Sequence, residues 1–565
     1  MQAKSPIKEL GVMLDCSRNG IMTVESVKKF IDLIAKMGYN QLFLHMENTY
    51  EVEGEPYFGY LRGRYSMAEL TEIEEYGYQH GVELVPLTQT LAHMSSLLQW
   101  PQYRAFSDDA DTMLVGDERT YALIDKMYAS LRKALPRARY LHTSMDEAHN
   151  LGNGKYRDLH GDVPKIDIMV EHINRVCEIA KKYNFKPMIW YTTLYSAMHG
   201  HKSTSHYFWP NYPEGENFDE TLAARLPKDI IIGYGNYNEH RKESAQMRLA
   251  CRFKWCARLA GGMENVMHIS GAWKWSTFAP RNLLSTTNAY YTAKAAFETG
   301  LTRLVVGLWG DNGNEASSYS VLPTLVYTAC VAQGIFDKEE ICQKFREWVG
   351  GEIDDFMLLD LPEYTPDYML GMPNTPAKYQ LYNDCFLGKL DKMVAPFDTA
   401  NYAKYAKQIA DAGERAGEYK YVFDTLAALC SVLALKADIG IRSRKVYREG
   451  TREELDKLIA DYHEMIKRME HFYACHRIQW DKENKPHGYE VQDIRMGGLI
   501  GRMRHCCRRL EDYRDGKLDR IMELEDDILE YLQFDNLPYS DARREDSVKK
   551  YPLERWLDIV TTNNL

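Results

Sequence analysis

The chain has 565 residues, more than one ordinary domain holds, and 45% of them are apolar, enough for substantial cores. Basic residues number 70 against 81 acidic ones, a net charge of −11, which excludes a general nucleic-acid binder and gives no attraction to an anionic membrane. There is no run of about 18 apolar residues, no signal-type h-region at the N-terminus, and no C-x-x-C pair among 11 scattered cysteines; these features read as a cytoplasmic protein in a reducing compartment, with no membrane partner.

Eight short apolar runs lie at 11–15, 41–46, 83–87, 140–145, 187–191, 230–234, 266–272 and 303–309. Their near-continuous apolarity suits parallel strands covered on both faces. The stretches between them are amphipathic. Segment 24–37 sets Val27, Phe30, Ile31 and Ile34 on one stripe and stops at Gly38, and 121–135 and 166–183 behave likewise. Eight alternations predict an α/β chain whose residues 1–340 form a closed (β/α)8 TIM barrel. The rival open sheet lacks a G-x-G-x-x-G after the first run. Beyond about residue 334 the strand-like runs fade. Residues 341–400 read as a linker or wrapping segment, proline-rich over 361–378, and 401–565 as an α-helical domain, helix-periodic at 421–438, 453–473 and 493–513.

In such a barrel the reactive groups sit where strands end. Those ends carry Asp15 and Arg18, His45 and Glu47, His93, Asp146-Glu147, Trp190 and Thr192, Tyr234 and Asn236, Trp273 and Trp275, and Trp309 and Asp311. Each alone has a structural explanation: Asp15 caps its loop or holds Arg18, and the histidines fill hydrogen bonds. Together on one rim they make a sugar pocket, with indole faces for the apolar sides of a pyranose and Arg and Asp for its hydroxyls. Glycosidases commonly flank the scissile bond with two carboxylates. Adjacent residues on a strand point to opposite sides, so Asp146 and Glu147 do not flank one bond in that way. At a strand end both reach the pocket with different tasks, which suits a reaction in which Glu147 gives a proton to the leaving oxygen while Asp146 holds another group; a natural candidate is the N–H of a 2-acetamido group whose own carbonyl oxygen attacks the anomeric carbon.

These residues resemble family 20 of the glycoside hydrolases, the β-N-acetylhexosaminidases. The resemblance rests on His142-Thr143-Ser144-Met145-Asp146-Glu147-Ala148 and Asp15-x-x-Arg18, and it extends to Pro56-Tyr57-Phe58-Gly59-Tyr60, Gln89-Thr90-Leu91-Ala92-His93, Gly271-Ala272-Trp273-Lys274-Trp275, Trp309-Gly310-Asp311-Asn312-Gly313 and Asp493-Ile494-Arg495-Met496-Gly497-Gly498. It is closest to streptococcal-type enzymes with a C-terminal helical domain. It implies a retaining exo-β-N-acetylhexosaminidase that removes terminal β-GlcNAc, with β-GalNAc or substituted GlcNAc left open, by substrate-assisted catalysis through an oxazolinium. In that reading Glu147 is the acid/base, its pKa raised by burial beside tryptophans. Asp146 orients the acetamide and Tyr234 donates to its carbonyl. Trp190, Trp275, Trp309 and Trp273 line the pocket; Arg18, Asp311 and Asn236 serve the sugar's polar groups; His93 and Glu47 tune Glu147. No metal and no cofactor are implied; the partners are a glycan with a terminal N-acetylhexosamine and a second copy of the chain.

Three departures stand out. The family's small α/β domain before the barrel is not represented, Asn236 replaces an Asp, and Thr192 replaces an acidic residue. The last two predict an altered preference at C4, C6 or the leaving-group side, including tolerance of an anionic substituent. Segment 480–498 reads as a piece of the helical domain that reaches a barrel mouth. The alternatives are a non-catalytic carbohydrate-binding barrel and a retaining glycosidase with a protein nucleophile. A metal hydrolase or serine esterase lacks its H-E-x-x-H or G-x-S-x-G.

Overall fold

In the computed structural model the described residues are 5–198, 220–237, 245–364, 375–394, 399–529 and 555–563. Residues 1–4, 365–374 of the proline-rich segment and 530–554 of the predicted helical domain lie outside them.

Eight parallel strands close into a barrel in chain order: β1 (Glu9–Asp15), β2 (Gln41–His45), β3 (Glu83–Leu87), β4 (Tyr140–His142), β5 (Lys186–Trp190), β6 (Ile231–Gly235), β7 (Val266–Gly271) and β8 (Arg303–Leu308), the last pairing with β1. Alternate residues of each strand serve two cores. Met13, Phe43, Val85, Leu87, Tyr140, Met188, Ile231, Met267 and Val305 fill the barrel interior. Leu10, Val12, Leu14, Leu42, Leu44, Leu84, Ile189, Ile232, Leu304 and Val306 face the surrounding helices. Predicted strand 140–145 stops at His142 because Ser144 and Met145 take φ of 56° and 74°, which no strand accommodates.

The helices start where capping chemistry allows. Thr23 accepts from Ser26 N at the head of Val24–Lys36, and Ser66 with Glu69 forms a capping box for Met67–Gln79. After the barrel, Ala400–Gly413, Lys420–Lys436, Arg452–Glu483 and Tyr489–Arg514 pack against one another in succession. Thr451 and Glu454 cap the 32-residue third helix, which runs ten residues beyond the predicted 453–473. The described flanks of the proline-rich segment, Leu359–Glu363 and Pro376–Tyr382, are buried. Among the described residues no helix is long and apolar enough to cross a membrane.

The tip of the last helical hairpin docks on the barrel's C-terminal rim. Asn484 bridges Met22, Lys485 N donates to Ile21 O at 2.7 Å, and Lys485 Nζ meets Glu69 at 2.7 Å. Gly488, at φ 91°, lies against Asn19, where a Cβ would come within 2.4 Å of the carbonyl oxygen. Segment 480–498 therefore reaches the mouth of its own barrel.

Candidate active site

The rim after β4 is built on unusual backbone. Ser144, Met145 and Glu147 all have positive φ, as do Glu47, His93, Ser276, Asn312 and Asn314 at neighbouring strand ends. Such clusters of left-handed non-glycine residues persist only where surrounding contacts hold them. Here Ser144 N donates to His142 Nδ1 at 3.1 Å, and Met145 N donates to Gln89 Oε1 at 3.2 Å. Burial lowers the His142 pKa to about 3, which keeps that ring nitrogen free to accept. The same Gln89 donates through Nε2 to Asp146 Oδ1 at 2.8 Å. The buried Gln89 amide thus fixes both the turn and the carboxylate it presents.

His93 joins the two carboxylates. Its Nε2 lies 3.5 Å from Asp146 Oδ2 and 3.4 Å from Glu147 Oε2. Asp111 holds the loop by accepting from His93 N at 3.1 Å. Burial works against a charged imidazole, but the two carboxylates raise the His93 pKa to about 11, with Arg18 opposing them. Burial also pushes Asp146 up; His93 and Gln89 outweigh it and hold the group well below the usual carboxylate range. Glu147 is lowered too, by His93 first and against burial. This corrects the expectation of a raised Glu147. Its side chain is 44% exposed and turned to an imidazolium, not sealed against indoles.

Arg18 extends the cluster. Its Nη1 donates to Glu47 Oε1 at 2.7 Å, Nη2 lies 3.3 Å from His93 Nδ1, and Nε lies 3.5 Å from Asp311 Oδ1. Glu47, buried, also faces Arg62 at 3.8 Å. Asp15 serves the loop: it accepts from Ser17 N at 2.8 Å and Gly310 N at 2.9 Å. Burial opposes its charge, yet His45, Arg18 and Ser17 hold its pKa far down. Asp311 is 39% exposed at its side chain, and partial removal from water raises its pKa against the pull of Arg18.

The aromatic wall stands on β5, β7 and β8. Trp190 packs on His142 at 4.1 Å and faces Trp309 at 6.1 Å. Trp275 is stacked on Trp273 at 4.0 Å, and the Trp273 Nε1 proton goes to Trp275 O, so Trp273 backs the wall. Glycines make room for the rings. A Cβ at Gly271 would lie 2.7 Å from Trp275 Cη2, one at Gly307 3.1 Å from Trp309 Nε1, and one at Gly233 3.3 Å from Trp190.

Two predicted residues do not face this wall. Ile231 points into the barrel, so two positions on, Gly233 does also, and Tyr234 points out. Tyr234 packs on Phe253 and, at 5.7 Å, on His268 in the helix-side layer. Asn236 follows it: its Nδ2 donates to Tyr234 Oη and its Oδ1 accepts from Asn288, both at 3.4 Å. The tyrosine at the wall is Tyr237, 5.3 Å from Trp275 and 6.3 Å from Trp309. The sequence signal for it was strand parity. Gln89 had a weaker signal, as a buried amide two residues past β3. Thr192 sits half-buried in the first turn of Tyr191–Met198.

Among the described residues, His463, Cys507 and Glu511 place their donor atoms within 4.8 Å of one another, but they lie on the helical hairpin away from this rim, and His463 with Glu511 at 3.0 Å makes an ordinary surface hydrogen bond. The rim's own donors are carboxylates already matched to His93 and Arg18. What the rim offers chemically is a proton-exchanging carboxylate, a fixed charged carboxylate beside it, and a cation–carboxylate pair next to stacked indoles.

The chain is similar to known proteins along two stretches. The family model described as Glycosyl hydrolase family 20, catalytic domain, matches residues 10–232, and the Glycoside Hydrolase 20C C-terminal domain matches residues 354–541. Hexosaminidase D of Bos taurus is 26% identical over 132 residues, 23% of this chain and 38% of that protein. Hexosaminidase D of Homo sapiens is 25% identical over 158 residues, 27% of this chain and 32% of that protein, so the chain spans about a third of either relative's length. Among solved structures, a chitobiase of Flavobacterium johnsoniae is similar at 12% identity, covering 81% of this chain and 75% of that one, with a TM-score of 0.44. A β-N-acetylhexosaminidase of Bacteroides fragilis is similar at 17% identity, covering 61% and 70%, with a TM-score of 0.43. Two models of one family span more than half of the chain on either side of the barrel's closing strands, and the chain therefore belongs to family 20 of the glycoside hydrolases.

Proposed function

We propose that the protein is a retaining exo-β-N-acetylhexosaminidase that works by substrate-assisted catalysis. The observation that carries this reading is the Asp146–His93–Glu147 cluster, with both carboxylates on one imidazole and Arg18 behind it. Asp146, fixed by Gln89 and kept charged, accepts the acetamide N–H and turns the carbonyl oxygen toward the anomeric carbon. As that oxygen bonds to the carbon, the bond to the leaving oxygen breaks and Glu147 supplies its proton. Asp146 then stabilises the positive charge of the oxazolinium. Water, deprotonated by Glu147, opens the ring with net retention. The acid form of Glu147 must arise against His93, so substrate entry between them, displacing the 3.4 Å contact, is part of arming the acid.

Tyr237, in place of Tyr234, donates to the acetamide carbonyl, and Trp190, Trp275 and Trp309 enclose the methyl group and ring. Arg18 and Asp311 take the distal hydroxyls. Because Asn236 faces the helix layer, the lost carboxylate that bears on specificity is the one at Thr192. Rates on plain and 6-sulfated aryl-GlcNAc test tolerance of an anionic substituent; a strong preference for the plain sugar opposes it. We also infer a homodimer joined through the helical domain, where Ile494 is 66% exposed beside the open Gly497 and Gly498. A monomer by light scattering at micromolar concentration removes that inference.

The decisive experiment compares aryl β-GlcNAc with aryl β-glucoside and adds a thiazoline mimic of the cyclised intermediate. Turnover of the first alone, blocked by the thiazoline, is expected. Equal turnover of both sugars overturns the mechanism.

A further inference from the structure

The loop after β8 carries Asp311, and three consecutive residues beyond it are left-handed: Asn312 at φ 61°, Gly313 at 122° and Asn314 at 53°. The barrel holds one side of this turn. Ser276 N donates to Asp311 O at 3.0 Å, and Lys274 Nζ to Asn314 Oδ1 at 2.5 Å. The other side is held from outside the barrel. Arg495 Nη1 donates to Asn312 O at 2.6 Å and to Glu315 Oε1 at 2.9 Å, and Gln492 Nε2 donates to Gly313 O at 2.9 Å. Lys378 Nζ donates to Asn312 O at 3.2 Å and pairs with Glu315 Oε2 at 2.7 Å; both side chains are essentially sealed from solvent. His476 and Glu483, from the partner helix, take Glu315 O and Ser318 N. A Cβ at position 313 would lie 2.5 Å from Arg495 Nη1.

These contacts are polar, largely buried and reach main-chain groups of the turn as well as the Glu315 carboxylate, which is how a turn is fixed and not how two domains merely adhere. What the turn delivers is the Asp311 carboxylate, 3.5 Å from Arg18 Nε. We propose that Arg495, with Gln492, is a positioning residue for Asp311: the helical domain sets the grip of the barrel on the hydroxyls of the terminal sugar. This rests on the sugar-pocket reading above. A loosened turn lets Asp311 move away from Arg18 Nε, which weakens hydroxyl binding and leaves Asp146 and Glu147 in place.

The test is a double-mutant cycle of Arg495→Met with Asp311→Asn on aryl β-GlcNAc, together with peptide-level amide exchange of the 310–316 segment. Arg495→Met is expected to lower kcat/KM by roughly 10- to 100-fold, mostly through KM, and to speed exchange in that segment while the β4 loop keeps its protection. In the Asp311→Asn background the further loss should be under about threefold, because the residue acts through Asp311. Gln492→Met, a milder change, should show the same pattern at smaller size if Arg495→Met folds poorly. Equal losses in both backgrounds, or unchanged exchange at 310–316, overturn the proposal. Faster exchange in a protein whose wild type hydrolyses no aryl-GlcNAc upholds the positioning and removes the hexosaminidase reading instead.

Discussion

The loops after β4 and β8 both end in runs of left-handed residues, yet they are held in opposite ways. The β4 turn is held by barrel residues: Gln89, Thr90 and His93 from the loop after β3, His142 from the strand itself, and Met188 from β5, which accepts from Thr143 N at 2.8 Å. The β8 loop takes half of its partners from residues more than 60 positions further along the chain. The difference separates two tasks. The groups that do the bond chemistry are fixed by barrel residues, and the group that grips the far side of the sugar depends on the helical domain. Damage to the first should fall on kcat and damage to the second on KM.

Glu147→Gln gives the largest expected effect on the β4 side. It removes the acid and keeps the shape, so kcat on substrates with poor leaving groups should fall by about 10² to 10⁴. An activated aryl leaving group should soften the loss, and thermal stability should stay within about 1 kcal/mol of wild type, since the side chain is partly exposed and glutamine keeps its shape. A uniform loss across leaving groups would mean that Glu147 is not the proton donor. Gln89→Leu comes next. It strips a hydrogen bond from the half-buried Asp146 carboxylate and another from the strained, buried Met145 amide. Leaving such groups unmet costs about 1–3 kcal/mol, so kcat should drop roughly 10- to 100-fold with KM little changed. A KM effect instead would erase the division between the two loops.

His93→Asn addresses proton supply. With His93 present, Glu147 is held below its ordinary pKa, so the acid form is lost early as pH rises and activity is favoured on the acid side. Removing the imidazolium raises the Glu147 pKa. The alkaline limb of kcat should therefore move to higher pH, even though the maximal rate falls for want of the Asp146 contact. A limb that stays in place or moves down would assign it to another group.

Much of this was legible in the sequence. Eight apolar runs located seven strands within about two residues and the start of β4, because strands covered on both faces are apolar throughout and their turns are not. The convergence of Arg18, Glu47, His93, Asp146, Glu147 and Asp311 followed from their common place at strand ends. That same double-sided apolarity hid which residues of a strand point inward, and the left-handed Ser144 and Met145 cut β4 shorter than its composition implies. The contact between Arg495 and Glu315 spans 180 residues and has no local signature at all. The sign of the Glu147 shift was missed because it depends on which neighbour the side chain meets, His93 or indole, and that is a question of rotamer and backbone turn.

The smallest predicted effect concerns β6, where the side of the wall decides everything. Tyr234 and Tyr237 are three positions apart and chemically identical, but one lies among Phe253 and His268 on the helix side and the other between Trp275 and Trp309 on the cavity side. Removing a hydroxyl that donates to a polarising carbonyl costs about 1–1.5 kcal/mol, so Tyr237→Phe should reduce kcat on aryl-GlcNAc roughly 5- to 15-fold. Tyr234→Phe removes an acceptor for Asn236, which retains Asn288, and should change kcat less than about twofold. The ring of Tyr237 also props Trp275, so Tyr237→Phe isolates the hydroxyl only if the stack survives; unchanged tryptophan fluorescence in the variant checks that. If Tyr234→Phe is the slower enzyme, the outward parity of β6 is wrong, and with it the assignment of Gly233 as a residue that makes room for Trp190.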